Sequence, residues 1–258
     1  MKRDLLVLSG GHPYEAEPFA AMLSSLAGWN VTHLIHPEAE RLVGEGCADR
    51  ADAMLFYDMP GYTFADGQVT TRLPSDAVRR AIMARFAAGR GAVAMHHALA
   101  GWALWPEWSE LLGGRFLYQP GEVRGVPHLD SGYRHDVTYT AQVVADHPVT
   151  AGLPETFAVT DELYLAPLFA DDFVPLIRAH HDFVAANFYS AAAAVAGRMF
   201  DNAGWAHPAG SACVAWAKQA LAARLVYLQF GDGPATYANP HIRRVLANAL
   251  DFVASPRD

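Results

Sequence analysis

The chain has 258 residues, 52% of them hydrophobic and 18% charged, which is apolar enough for one large core and unlike a disordered composition. Its net charge of -8, with no basic block, excludes nucleic acid as the main partner. No window approaches the roughly twenty apolar residues of a membrane span, and Cys47 and Cys213 form no CxxC pair and read as reduced thiols, so no membrane partner and a cytoplasmic location are expected.

In chain order, Leu5 to Ser9 is a short apolar run closed by Gly10-Gly11, as in a buried parallel strand, rather than a signal-peptide core. Tyr14 to Gly28 has helical spacing, with Phe19, Met22, Leu23 and Leu26 on one face. Val31 to Ile35 and Ala53 to Tyr57 are the next strands, the latter ended by Asp58-Met59-Pro60-Gly61-Tyr62. Ser75 caps a helix through Ala88, and Ala92 to Met95 opens onto His96-His97. This βαβ alternation implies an α/β fold with a doubly wound, mostly parallel sheet flanked by helices. In the middle of the chain, Val137 to Val144 alternates in polarity and marks an antiparallel insertion, with Leu163 to Phe169 and Val174 to Ile177 as further short strands. Residues 179–211 have no clear assignment. Val214 to Lys218 and Arg224 to Phe230 are the last strands, and Asn239-Pro240 starts a final amphipathic helix to about Val253. With no repeat or linker, residues 1–258 read as a single domain.

In open α/β sheets the ligand sits beyond the carboxyl ends of the strands. Those ends offer Gly10-Gly11-His12, then Asp58 and Tyr62, then His96-His97 and Trp102, and finally Asp232 and Tyr237. The glycine turn lacks both phosphate-loop spacings. His96-His97 follows a strand that turns abruptly, like the elbow that presents nucleophiles in other α/β enzymes. With no Ser or Cys there, an imidazole acid or base is expected instead of an acyl-enzyme. Adjacent residues point different ways, so one histidine should face a pocket and the other the core. His135, beside Asp136, and the pair Asp161-Glu162 lie beyond the parallel half; the pair reads as a cap, or Glu162 orients a histidine or serves as a second acid/base group. His180-His181 and His207 read as lid or surface residues.

Four stretches taken together, Leu8 to His12, Ala94 to Trp102, the pair Tyr133 to Asp136 and Asp161 to Tyr164, and Phe230 to Pro240, resemble the ThuA-like (trehalose utilisation) family. The resemblance implies a flavodoxin-like fold similar to class I glutamine amidotransferases. The sequence departs from that pattern at the elbow, where His96-His97 stands in place of cysteine, which implies the scaffold without glutamine hydrolysis. It implies a role in sugar metabolism, on trehalose or related keto-disaccharides.

The expected function is therefore an enzyme of carbohydrate utilisation, of hydrolase or lyase type. His96, His97 and Glu162 are its catalytic candidates. His12, Asp58, Tyr62, Trp102, His135, Tyr164 and Tyr237 are its substrate-binding candidates, the aromatics stacking on sugar faces. The alternatives are a non-catalytic sugar-binding or regulatory domain and a metal-dependent hydrolase. No cofactor is required. His12, His96, His97, His135 and Glu162 are competent zinc or manganese ligands, but no HExxH-type spacing is present, so a divalent metal depends on tertiary convergence and no metal-binding set is assigned. The expected partner is a small-molecule carbohydrate, with a homodimer through exposed apolar strands of the middle region open. The whole reading requires His12, His97 and Glu162 to meet around one cavity.

Overall fold

A computed structural model describes residues 2–255. The chain opens with β1 (Arg3–Gly10), α1 (Ala16–Ser24), β2 (Trp29–Ile35), α2 (Glu38–Gly44) and β3 (Ala53–Asp58). It continues through a hairpin, β4 (Tyr62–Ala65) and β5 (Gln68–Thr71), then α3 (Asp76–Ala87), β6 (Ala92–Met95) and α4 (Pro106–Leu112). A second small hairpin, β7 (Gly121–Val123) and β8 (Val126–His128), precedes β9 (Gly132–Val143), β10 (Thr156–Leu165) and β11 (Val174–His180). The remaining elements are β12 (Tyr189–Ser190), α5 (Ala191–Val195), β13 (Cys213–Ala220), β14 (Ala223–Leu228), α6 (Pro234–Ala238) and α7 (Pro240–Ala254).

One sheet of ten strands joins the two halves of the chain, in the order β10-β9-β11-β13-β14-β6-β3-β1-β2, with β12 also on β9. The five strands β2-β1-β3-β6-β14 pair in parallel. Counted along the chain among themselves they follow the order 2-1-3-4-5, the flavodoxin-like winding. The antiparallel strands are continuous with this block, because β13 pairs with β14 and β11, β9 and β10 extend the edge.

Alternation along β1 explains the layers. Leu5 and Val7 enter the core beneath α1 and α7, while Leu6 and Leu8 enter the core beneath α2, α3 and α4. The expected caps form: Ser75 Oγ accepts from the Val78 N–H, and Asn239 Oδ1 accepts from His241 and Ile242 ahead of the buried stripe Ile242, Val245, Leu246, Ala249, Leu250 and Val253.

The first helix is shorter than its spacing predicts, ending at Ser24 in successive tight turns before β2. The largest departure is in the middle. The strand expected at Leu163 to Phe169 starts earlier, at Thr156, and stops at Leu165, ahead of Pro167, so Asp161-Glu162 lies within it and not before it. β9 likewise starts at Gly132. Between the pairs Asp161–Val137 and Leu163–Arg134 the register shifts, with His135 and Asp136 opposing Glu162 alone and Asp136 at φ 54. This is a β-bulge, and it hides both strands from a strict period-two reading.

Candidate active site

His96 is the first residue after β6 and has φ 52, a left-handed conformation that costs a non-glycine residue about 1–3 kcal/mol unless its surroundings enforce it. They do so from three directions. The His96 Nδ1–H donates to the Gln229 carbonyl at 2.6 Å, and the His96 carbonyl accepts from the Tyr227 hydroxyl at 2.8 Å. Gly231, at φ +140, lies so close that a Cβ there would sit 3.0 Å from His96 Cβ. The elbow thus turns His96 inward, fully buried, and leaves His97 facing the cavity described below.

Three imidazoles pack together at this point, one pair tilted and the other edge-on. The rings of His12 and His97 are 4.2 Å apart and those of His97 and His96 4.3 Å. The Tyr164 hydroxyl lies 3.0 Å from His96 Nε2 and 3.2 Å from His97 Nδ1. The antiparallel half brings the compensating charge. Glu162, 3% exposed at the bulge, sets Oε2 3.3 Å from His96 Nε2 and Oε1 3.2 Å from His135 Nδ1. Asp232, in the loop after β14, reaches the same two rings at 3.6 Å each. Its loop is held by Asp161, which faces away from Glu162 and accepts from the Gly231 and Asp232 N–H groups at 2.9 Å each.

The electrostatics follow this layout. Burial opposes a charge on His96, but the Asp232 and Glu162 carboxylates outweigh it and push its pKa up to about 10. Asp232 itself is held far below the usual carboxylate range: burial would raise it, and His135 and His96 more than offset that. The Asp232 contact raises His135 against partial burial. Burial, then the neighbouring His96 charge, pushes His97 well below the usual imidazole range. Burial also lowers His12, against the carbonyls of Tyr57 and Pro13 on its two ring nitrogens. Burial raises Asp161 to about 6. The result is a cation locked between carboxylates beside an imidazole biased toward its neutral form.

His97, His135, Glu162 and Tyr164 line a cavity of about 310 Å³, whose other walls are Phe64, Phe116, Tyr118, Tyr133, Ala191, Ala194, Val195 and Met199. That volume falls within the range of small-molecule sites. Of the residues singled out in the sequence, His96, His97, His135, Glu162 and Tyr164 converge here, with His12 packed behind His97 at a tilt. Besides buried His96 and His12, four more do not line it. Asp58 is bound to His36 at 2.7 Å, and Tyr62 lines a neighbouring pocket while donating to the Ala100 carbonyl. Trp102, 2% exposed, and Tyr237, 0% exposed, belong to the two cores, where the Tyr237 hydroxyl meets Tyr57 and the Gly231 carbonyl. Neither presents a face on which a sugar could stack. Asp232 was visible as a strand-end residue without being singled out, and Asp161 read only as a cap. The walls from Phe64 and from 191–199 carried no periodic or motif signal.

The family model ThuA, described as trehalose utilisation, matches residues 13–253. Among solved structures the fold is similar to a ThuA-like protein from Parabacteroides merdae ATCC 43184, at 13% identity and TM-score 0.69, covering 99% of this chain and 91% of that one. A ThuA-like protein from Bacteroides uniformis ATCC 8492 is similar at 17% identity and TM-score 0.64, covering 97% and 91%. A candidate GMP synthase protein from Thermoplasma acidophilum is similar at 10% identity and TM-score 0.52, covering 98% and 95%, and its likeness, too, concerns the glutamine amidotransferase-like fold alone. No curated protein matches the sequence. Among the described residues no helix is long and apolar enough to cross a membrane.

Proposed function

This chain belongs to the ThuA family, trehalose utilisation, and from that membership we propose that it is an enzyme acting on a small carbohydrate, trehalose or a related keto-disaccharide, by histidine–carboxylate proton transfer. Family membership supports the carbohydrate-related role. The reaction rests on one observation: His97, His135 and Glu162 meet in a cavity whose remaining walls are largely aromatic. Aromatic faces suit the apolar faces of sugar rings, and a few convergent polar groups fix their orientation.

His97 is the group that exchanges a proton with the sugar, because it faces the cavity and burial favours its neutral, basic form. A ketone acidifies the neighbouring C–H, which makes a keto-sugar a suitable partner for such a base. His135, raised by Asp232, offers an N–H to a hydroxyl or carbonyl oxygen. Glu162 holds His96 and His135 in place, and Tyr164 ties the elbow rings together. His96 stands where a cysteine nucleophile would be needed for glutamine hydrolysis, and Cys47 and Cys213 lie on other elements, which argues against that activity. Two free cysteines and an acidic surface fit a cytoplasmic enzyme.

The test is turnover of trehalose and its keto derivatives. His97→Gln is expected to lose about 10²–10⁴-fold in kcat, with Glu162→Gln moving the same way. Wild-type turnover by His97→Gln would refute the assignment. The aromatic lining alone favours a second reading, a sugar-binding or regulatory domain, which tight binding without product after prolonged incubation would establish.

A further inference from the structure

We propose that His96, His97, Glu162 and Asp232 form a binding site for one divalent transition-metal ion of zinc, cobalt or manganese type at the inner end of the cavity. One ligand atom from each of these four side chains can be chosen so that all lie within 4.8 Å of one another. The inference concerns the same cavity as the carbohydrate reading, and rests on that reading only for what the ion would meet there.

The spacing carries the argument. Metal–nitrogen and metal–oxygen bonds of about 2.0–2.2 Å in a tetrahedral site place neighbouring ligand atoms about 3.3–3.6 Å apart. His96 Nε2 stands 3.3 Å from Glu162 Oε2 and 3.6 Å from Asp232 Oδ1. A direct charge-assisted hydrogen bond would draw such atoms to about 2.7–2.9 Å. The carboxylates are therefore spaced to share an ion with the imidazole better than to bond it directly.

Independent features point the same way. Glu162 is 3% exposed, yet its Oε2 has no hydrogen-bond partner among the described residues, an arrangement that is costly unless a further group meets it. The His96 Nδ1–H is committed to the Gln229 carbonyl at 2.6 Å, which fixes the ring with Nε2 toward the carboxylates, as outer hydrogen bonds do for metal-bound histidines. Asp161 anchors the Asp232 loop through two backbone N–H groups, and His135 takes the outer oxygens of both carboxylates. An ion would take the place of the proton that His96 carries between these carboxylates; two carboxylates and two imidazoles, both then neutral, would balance its double charge, and this nitrogen–oxygen donor set suits zinc or manganese and lacks the soft thiolates that select copper(I). Because His97 and Glu162 also face the cavity, an ion here would meet the oxygens of a bound molecule and polarise them as a Lewis acid, and His97, its lone pair then on the metal, would serve as the proton acceptor only in the metal-free chain.

Tag-free, full-length protein treated with chelator and desalted is titrated with Co²⁺, followed by d–d absorption, and separately loaded with Zn²⁺ or Mn²⁺ and analysed for metal content. One equivalent per chain is expected. Asp232→Asn and Glu162→Gln should weaken binding at least 100-fold while His207→Gln, on a remote loop, leaves it unchanged. Both acidic variants are near-isosteric, and Asp232 is 28% exposed, so far-ultraviolet circular dichroism can verify that they fold. Less than stoichiometric binding of all three ions by the wild type, or binding by both folded acidic variants equal to wild type, overturns the proposal. Metal-free protein that still turns over a keto-disaccharide while binding no ion would sink the metal site and leave the carbohydrate reading standing. Stoichiometric, Asp232-dependent binding without sugar turnover would do the reverse.

Discussion

The five parallel strands hold their chemistry under backbone strain, whereas the antiparallel strands hold theirs in a bulge. On the parallel side β6 ends in His96 at φ 52, and the imidazoles of His12, His96 and His97 gather behind short, glycine-bearing loops. On the antiparallel side the register shift at Glu162 opposes His135 and Asp136 to one residue, and its carboxylate lines the cavity. Neither half holds the whole site. The first gathers three imidazoles that cannot all be charged, with Asp232 beyond β14, and the second sets the buried Glu162 carboxylate beside His135. The cavity lies at their seam, displaced from the β1–β3 switch point where an open sheet of this winding ordinarily binds its ligand.

Breaking the strained side should have the largest effect. Gly231→Ala would press a Cβ to 3.0 Å from both His96 Cβ and Met95 Cε at a φ that side chains rarely adopt. A loss of about 1–3 kcal/mol in denaturant-derived stability is expected, together with a fall in turnover of about 10²-fold from displacement of the elbow. Asp161→Asn tests the link between the halves, because an amide cannot accept from both the Gly231 and Asp232 N–H groups through two oxygens. A loss of about 1–3 kcal/mol is expected, with kcat reduced and KM little changed.

Smaller substitutions sharpen the distinction between wall and core. Phe64→Ala should raise KM for a sugar by about two- to thirteenfold, the worth of one aromatic contact of about 0.5–1.5 kcal/mol, while barely changing stability, since Phe64 is 44% exposed on the β4–β5 hairpin. Tyr237→Phe should do the opposite, costing about 0.5–1.5 kcal/mol of stability with KM unchanged, because its hydroxyl serves Tyr57 and Gly231 in the core. The smallest effect belongs to His36. Burial opposes its charge, but the Asp58 carboxylate 2.7 Å away raises its pKa. Its stabilising contribution is thus complete below about pH 6.5 and is lost as pH rises through the higher folded value. The melting-temperature gap between wild type and His36→Asn should be wider at pH 6 than at pH 9.

The same division decides what could be read from the sequence. Buried parallel strands are continuous apolar runs closed by glycine or proline, so Leu5 to Leu8, Ala53 to Tyr57 and Ala92 to Met95 were legible with the residues at their ends. The antiparallel strands were misjudged where the bulge interrupts alternation, which moved the expected strand off Asp161-Glu162. The wall built by 191–199 was invisible, because a five-residue alanine-rich helix after a two-residue strand is too short for periodicity. Trp102 and Tyr237 were misplaced for a related reason: residue type and nearness to a strand end do not distinguish an aromatic facing a cavity from one turned into the core.

The most direct test of the seam is a crystal structure of Glu162→Gln soaked with trehalose or a keto derivative. Sugar density against His97 and His135, bounded by Phe64, Phe116 and Tyr133, is the expected result. A sugar bound with full occupancy elsewhere, with this cavity filled only by solvent, would contradict it.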